Sequence, residues 1–462
     1  MSLEGIDPVR RTCLVPGLLL VIGFLLATAG PVSIGFDHFP SKSIDMDRNH
    51  VPVVEAFASA WPTPDLRDYD SATTPGMHLM LAFLMRASGG SEMVLQLATC
   101  LFGAMLVGVG WWFAGRMVGG WIAAACLLPL AASPYVLGNA IWVMTDNLAL
   151  ALVAISIGIA LFMRPTAGGA SVSGIAMVVS VLVRQINVWP TAIAWMATIL
   201  GLPRVRRWLS FRDRLDDDAS PVPPVILGSG VLLAFLVLGI FIGLWGGLVP
   251  PSFQPGGEGA MIHSGGINQA VSPYAMTLFG VYALPATVLF LPLWREDDEV
   301  RRTSLRGGLI GLVIGLVLHS APGADLGRVG GWLWTLAERC PVLGGRSMLL
   351  VGGAVLGGFT AGMFFGLLRA AGRLRAGWLM LGFAVSFLAA YTANAQAFQR
   401  YFDPPVLLAL GWCLALAAGA VTAGGVLAPA RIAAAGLGLA TMQVVFAITT
   451  LYLKIGFMPT QP

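Results

Sequence analysis

Two aspartates one residue apart, Asp45 and Asp47 in the stretch SIDMDRNH at 43–50, stand close to the first long apolar run of the chain, Leu14 to Ala27. A carboxylate can take a proton from a substrate group within hydrogen-bond reach, and two together can hold a divalent cation. Asp146 and Asn147 open another apolar run in WVMTDNLALAL. An aspartate inside a membrane helix costs about 2.5–3.5 kcal/mol, so it faces a cavity or a partner unless it caps the helix from the interface. Arg184, Gln185 and Asn187 separate two apolar runs in VLVRQINVWP, and Asn394, Gln396, Gln399, Arg400 and Tyr401 cluster in NAQAFQRYF. An arginine among amides and a tyrosine suits a phosphate or a sugar. The alternative for both arginines is a side chain snorkelling from a helix end.

The elements that must hold these residues follow from composition. The chain has 462 residues, 57% hydrophobic and 11% charged, with mean hydropathy +0.80. A soluble domain carries about 25% charged residues, so the class is an all-α polytopic membrane protein. Roughly 20 apolar residues span a bilayer. Apolar runs near 13–30, 92–115, 120–137, 142–163, 171–184, 187–202, 223–249, 272–293, 305–320, 347–368, 376–394, 403–424 and 431–453 predict thirteen spans, with 171–202 either one broken span or two short ones. Arg10 and Arg11 before an apolar core ending in ATAG would also fit a signal peptide; a retained first helix is the reading taken.

With the N-terminus inside, 17 of the 27 Lys and Arg residues fall on the cytoplasmic side, as the positive-inside rule requires. Outside then lie 31–91, 250–271 and 321–346. Pro75 can open a helix, because its missing N–H has no partner there anyway. Residues 75–86, too few to span, are expected to lie as a helix in the outer interface. Asp216, Asp217 and Asp218 form a solvated loop face on the other side. The five cysteines, Cys13, Cys100, Cys126, Cys340 and Cys413, have neither zinc-motif nor disulfide-framework spacing. No basic stripe is interleaved with aromatics, so nucleic acid is not a partner.

The chemistry-bearing side chains therefore gather on one side of the membrane. A transporter or flippase for a lipid-linked sugar, the alternative function, needs ionisable groups and broken helices near the midplane, often in two related halves. A noncatalytic subunit that binds polyprenyl lipid is a third reading. An enzyme acting on a lipid-borne substrate needs its carboxylates and cations at one interface, which is the pattern here.

The order of motifs resembles the GT-C superfamily of multispanning glycosyltransferases, and within it the eukaryotic dolichyl-phosphate-glucose-dependent alpha-1,2-glucosyltransferase family. Met46-Asp47 match the start of the family's MDE; His50, Val51 and Pro52 match its His-x-Pro with a one-residue shift. Thr73, Thr74, Pro75 and Gly76 match TTPPG, Arg184, Gln185 and Asn187 match RQTN, and Arg400, Tyr401 and Phe402 resemble a late RYF. Arg48 stands where the family has an acid, Gly76 follows one proline rather than two, and only His263 lies near the position of a histidine-rich loop. A composition rich in Ala, Gly and Arg suggests a bacterial homologue, in which the eukaryotic acceptor would be absent.

The resemblance implies a single GT-C transmembrane domain over 1–462 with about 11–13 transmembrane helices. It implies inverting transfer of a hexose from a polyprenyl-phosphate sugar to a lipid-linked glycan or other extracytoplasmic acceptor. Asp47 is the first choice for the base and Asp45 the second. Arg400, Arg184 and Tyr401 would bind the donor phosphate, and Asp146, Gln185, Asn187 and His50 would position substrate. Asp45-Met46-Asp47 also has the DxD form of nucleotide-sugar enzymes, but those carry a soluble nucleotide-binding domain and this chain has none. No metal site is assigned, although the two carboxylates could hold a divalent cation. The expected state is a monomer in the inner (cytoplasmic) membrane, with membrane lipids, the lipid-linked sugar and the acceptor as partners.

Overall fold

In lipid every backbone N–H and C=O must be satisfied within its own segment, so apolar runs become helices. The structure, a computed structural model, describes residues 14–35, 44–163, 166–209, 224–254, 266–323, 326–328, 330–423 and 425–455. Arg10, Arg11, Cys13, Asp37, Asp216 to Asp218 and His263 lie outside these residues. The chain is an all-α, multi-pass membrane protein.

Helix α1 (Leu14–Ser33) is followed by a segment containing a wide helical turn (Met46–His50), α2 (Val51–Ser59) and α3 (Gly76–Ala87). Then follow α4 (Glu92–Val118), α5 (Gly120–Ala131), α6 (Pro134–Ile141), α7 (Asp146–Phe162), α8 (Ala167–Val183), a tight turn (Gln185–Val188), α9 (Pro190–Gly201), α10 (Pro203–Trp208) and α11 (Pro224–Trp245). The remainder is α12 (Val271–Tyr282), α13 (Leu284–Glu296), α14 (Asp298–Val317), α15 (Trp332–Glu338), α16 (Met348–Ala370), α17 (Leu374–Thr392), α18 (Gln399–Ala417) and α19 (Pro429–Ile455). Two hairpins of two-residue strands, Val342–Leu343 with Arg346–Ser347 and Val421–Thr422 with Gly425–Val426, close interhelical turns.

Each expected span coincides with a helix or a bent pair of helices. By length and composition six of the described helices can cross a membrane, or up to eight if each bent pair is one span. Five expected spans account for the difference. Helices α7 and α8 have 17 residues each and α9 has 12, against about 20 needed at 1.5 Å per residue to cross a hydrocarbon core of about 30 Å. Helix α14 carries Asp298, Glu299, Arg301 and Arg302 in its first turns, and α18 opens on Gln399, Arg400 and Asp403.

Proline explains the bends. Pro134 starts α6 after a 70° break from α5, with Ser133 capping through bonds from the N–H groups of Tyr135 (3.2 Å) and Val136 (3.4 Å). Pro285 starts α13 after a 73° break from α12. A proline lacks the N–H that would continue the preceding helix, and its ring is preorganised for a first turn. The 171–202 region is two helices, broken at 184–189, and the expected 75–86 helix runs one residue later. Elsewhere small residues set the packing. A Cβ on Gly311 of α14 would collide with the Ala354 carbonyl of α16, so these backbones touch.

The helix ends gather in two sets. At one end Ala423 N–H bonds the Asp297 carboxylate (3.2 Å), Arg373 bonds the Ala418 carbonyl (2.9 Å) and Arg375 bonds the Ala160 carbonyl (3.1 Å). At the other, Trp245 Nε1 bonds the Leu66 carbonyl (2.9 Å), Ser252 N–H bonds Asp68 (3.0 Å), and Arg86 bonds the Ala58 carbonyl (2.9 Å). Orientation rests on the basic residues of the first end. A cysteine replacing the exposed Ser88 is expected to react with an impermeant thiol reagent added outside cells, and one replacing the exposed Ala423 to react only after permeabilisation. The opposite labelling pattern would invert the assignment.

Candidate functional site

The second set of helix ends encloses an open cavity of about 590 Å³. Of the residues singled out in the sequence, Asp45, His50, Thr73, Asp146, Arg184, Gln185, Asn394, Arg400 and Tyr401 line it. Asp47 does not: it is exposed. The cause is Met46, which is 1% exposed and inserts under the loop against Gln96, whose amide lies 3.9 Å from its sulfur. A helical turn rotates about 100° per residue, so residues on either side of a buried methionine point apart. Asp45 turns to Arg400 and Asp47 turns to solvent.

Two aspartate–arginine ion pairs dominate the cavity. Arg400, in the first turn of α18, pairs with Asp45. Its guanidinium also donates to Tyr401 Oη (3.2 Å) and lies over the rings of Tyr401 (5.1 Å) and Phe398 (5.5 Å). Its buried Nε has no hydrogen-bond partner among the described residues. Arg184 is extended (φ −149°, ψ 117°) at the point where α8 ends. It pairs with Asp146, the first residue of α7, and lies 5.0 Å from the Tyr401 ring. One tyrosine ring thus meets both guanidiniums, a cation–π arrangement that keeps two cations close. Asp146 sits where the positive end of the α7 dipole favours an anion.

Gln185 serves as a joint. Its amide accepts from Thr74 N–H (3.1 Å) and donates to the carbonyls of Ala72 (2.7 Å) and Leu248 (2.9 Å). The neighbouring threonine–proline–glycine motif is part of the same joint. Thr74 Oγ1 donates to the Val181 carbonyl (2.6 Å), and a Cβ on Gly76 would lie 2.6 Å from the Leu182 oxygen. Only a glycine lets the start of α3 approach the end of α8 this closely. Asn187 is buried in a recess of about 30 Å³ beside the main cavity, together with Asp146, Arg184, Tyr391, Arg400 and Tyr401.

Gln399 and Gln396 are buried away from the main cavity. Gln399 accepts from Tyr274 Oη (3.3 Å) and Leu333 N–H (3.2 Å) and donates to Tyr282 Oη (3.3 Å). Tyr282 and Ser133 (2.6 Å) in turn bond Asp403, which is fully buried. This network anchors the first turn of α18 and therefore aims Arg400 and Tyr401.

Sequence reasoning passed over Asp403, Tyr391 and His78. His78 shares the buried face of α3 with Leu81, Ala82 and Met85, and a polar residue on an apolar stripe is the signal that marks it. His50 Nδ1 lies 2.9 Å from His78 Nε2. Burial lowers the His50 pKa to about 4 against the attraction of Asp45 and Asp146, and pushes that of His78 well below the usual histidine range. Both are neutral at pH 7.

Among the described residues no three His, Cys, Asp or Glu side chains converge. With Asp45 and Asp47 on opposite sides of Met46, the two carboxylates do not form a ligand pair, so the arrangement does not fit a divalent cation held between them.

No protein-family model matches the chain, and no curated protein matches it. Two solved structures are similar to the chain. One is ArnT from Cupriavidus metallidurans bound to undecaprenyl phosphate, with 15% identity over 97% of this chain and 82% of that one, at a TM-score of 0.37. The other is the same protein in the apo state, with 14% identity over 96% and 81%, also at 0.37. A likeness at this level assigns no activity or substrate.

The neutral histidines make a prediction about acid stability. Their folded pKa values lie below the unfolded value of about 6.5, so the unfolded chain binds protons that the folded chain does not. Stability is therefore full above about pH 6.5 and falls as pH drops from there toward 4, where His50 itself titrates. The His50 contribution is on the order of 3 kcal/mol across that window. Thermal unfolding in detergent at pH 7.5, 6, 5 and 4 measures it; a His50→Asn variant should show a shallower fall, and an equal slope in both proteins would count against the buried neutral pair.

Proposed function

We propose that the cavity is the active site of a GT-C membrane glycosyltransferase, which moves a hexose with inversion from a polyprenyl-phosphate donor to an extracytoplasmic acceptor such as a lipid-linked glycan. The observation that carries this reading is the convergence of Arg184 and Arg400 on Tyr401 in one cavity, each paired with an aspartate from another element. The motif resemblance around residues 45–52, 73–76, 184–187 and 400–402 supports it, because those four segments, far apart in sequence, border the cavity or hold its walls. The transporter alternative is less well supported, since both of these ion pairs sit at the same end of the helices.

In the reaction the acceptor hydroxyl oxygen forms a bond to the anomeric carbon. Its proton passes to a carboxylate, and the carbon–oxygen bond to the phosphate breaks, with the electron pair leaving on the polyprenyl phosphate. Arg400 and Arg184 stabilise that growing charge. Asp45 is the base favoured by position, since it lines the cavity and Asp47 does not. In the resting protein Asp45 is held by Arg400, and a carboxylate bound to a guanidinium is a poor base. A donor phosphate competes for the same guanidinium, so donor binding frees the carboxylate that the displacement needs. Asp146 stays with Arg184 and orients it.

Purified protein with radiolabelled polyprenyl-phosphate sugars and a membrane lipid extract tests the activity; transfer from a nucleotide sugar in a lipid-free assay would overturn the donor class. Asp45→Asn is expected to lower single-turnover rate by about 10²–10⁴-fold, the usual worth of a general base, without weakening donor binding. Arg400→Ala should weaken binding as well as turnover, because the phosphate is charged in both ground and transition states. Asp47→Asn should remain near normal. If Asp47→Asn is inactive and Asp45→Asn is not, the base has been assigned to the wrong side of Met46.

A further inference from the structure

Where the turn before α2 packs on α3, the geometry decides which nitrogens of His50 and His78 carry protons. The rings meet edge to edge, with centroids 5.2 Å apart and planes 22° from parallel, and the 2.9 Å between His50 Nδ1 and His78 Nε2 holds one shared proton. A neutral imidazole has one N–H donor and one acceptor, and burial keeps both rings neutral. If His50 Nδ1 carried the bridging proton, His78 would accept at Nε2 and hold its own proton on Nδ1. That atom is buried with no hydrogen-bond partner among the described residues, against the rings of Phe57 and Tyr69. A buried N–H without an acceptor pays its full desolvation and is rarer in folded proteins than an unmatched acceptor. If His78 Nε2 carries the bridging proton, only a lone pair is left unmatched. His50 then has its proton on Nε2, the nitrogen left to face the cavity that His50 lines.

We propose that His78 is a positioning residue whose Nε2–H donates to His50 Nδ1, locking His50 in the Nε2–H form, so that the cavity is offered an uncharged hydrogen-bond donor for a phosphate oxygen. The charge state matters because of the neighbours. Asp45 and Asp146 attract a cation at His50, and Arg184 and Arg400 repel one. A charged His50 would compete with the arginines for the two aspartates that hold them. A neutral donor adds a directed contact without disturbing either ion pair. The proton assignment stands by itself; the phosphate as ligand rests on the function proposed above.

The test is nitrogen NMR of the full chain in detergent, with histidine rings labelled with ¹⁵N and the His50 signals assigned from a His50→Asn variant. At pH 7 His50 is expected to be protonated at Nε2 and unprotonated at Nδ1. His78→Gln, whose amide N–H can replace the ring donor, should keep that pattern, and His78→Leu should give a mixture of tautomers. A change in packing alone would not follow the donor in this way. His50 protonated at Nδ1 or at both nitrogens in the wild-type chain, or an unchanged pattern in a folded His78→Leu variant, would overturn the proposal; the wild-type measurement decides even if that variant does not fold. Added polyprenyl phosphate should then move the His50 Nε2 signal. If the tautomer is as expected and that signal stays still, the positioning role of His78 stands and the phosphate reading of the cavity falls.

Discussion

Keeping two arginines neutralised at the edge of a membrane is the constraint on which the rest of this structure depends. An unpaired guanidinium there would be expensive, because a charge drawn out of water needs a partner. Arg184 follows the end of α8 and Arg400 lies in the first turn of α18, and each takes its carboxylate from another element. The two pairs therefore hold the start of α7, the break after α8, the start of α18 and the turn before α2 in one register. Tyr401 lies against both guanidiniums and fixes their spacing.

The supporting joints serve that register. Gln185 ties residues 72–74 and 248 to the α8 break, Gly76 lets α3 close on α8, and Trp245 ties α11 to the segment between α2 and α3. Met46, Val54, Phe57, Met77 and Leu81 form a separate buried cluster beneath it. Residues 44–91 are therefore a packed part of the site and not a solvated connector. Below the cavity, the bonds among Asp403, Ser133, Tyr282 and Gln399 fix α18 from the other side. Both arginines are thus held between elements that are far apart in the chain.

The bent pairs show how local chemistry shapes the wall of the site. The break between α5 and α6 brings Ser133 to Asp403, and the break between α12 and α13 follows directly after Tyr282. A straight helix through either point would carry an uninterrupted apolar face past α18. Proline after the break makes the interruption permanent, and the freed backbone groups are capped by Ser133 or end at the bend.

The sequence by itself determined the class, the number of apolar runs and the residues worth watching, because hydrophobic length and the rarity of charge in lipid are properties of a chain read in order. It marked Asp146, Arg184, Arg400 and Tyr401 for that reason, and the break near 184 from three polar residues between two apolar runs. It preferred Asp47 to Asp45 from motif position, which says nothing about which side of a turn a carboxylate occupies; a buried Met46 decides that. It passed over His78, whose meaning depends on a partner 28 residues away, and it could not join Asp45 to Arg400 across 355 residues. Those pairings belong to the tertiary structure alone, since a charge can show in one dimension that it needs a partner, but only packing in three dimensions brings one particular partner within reach.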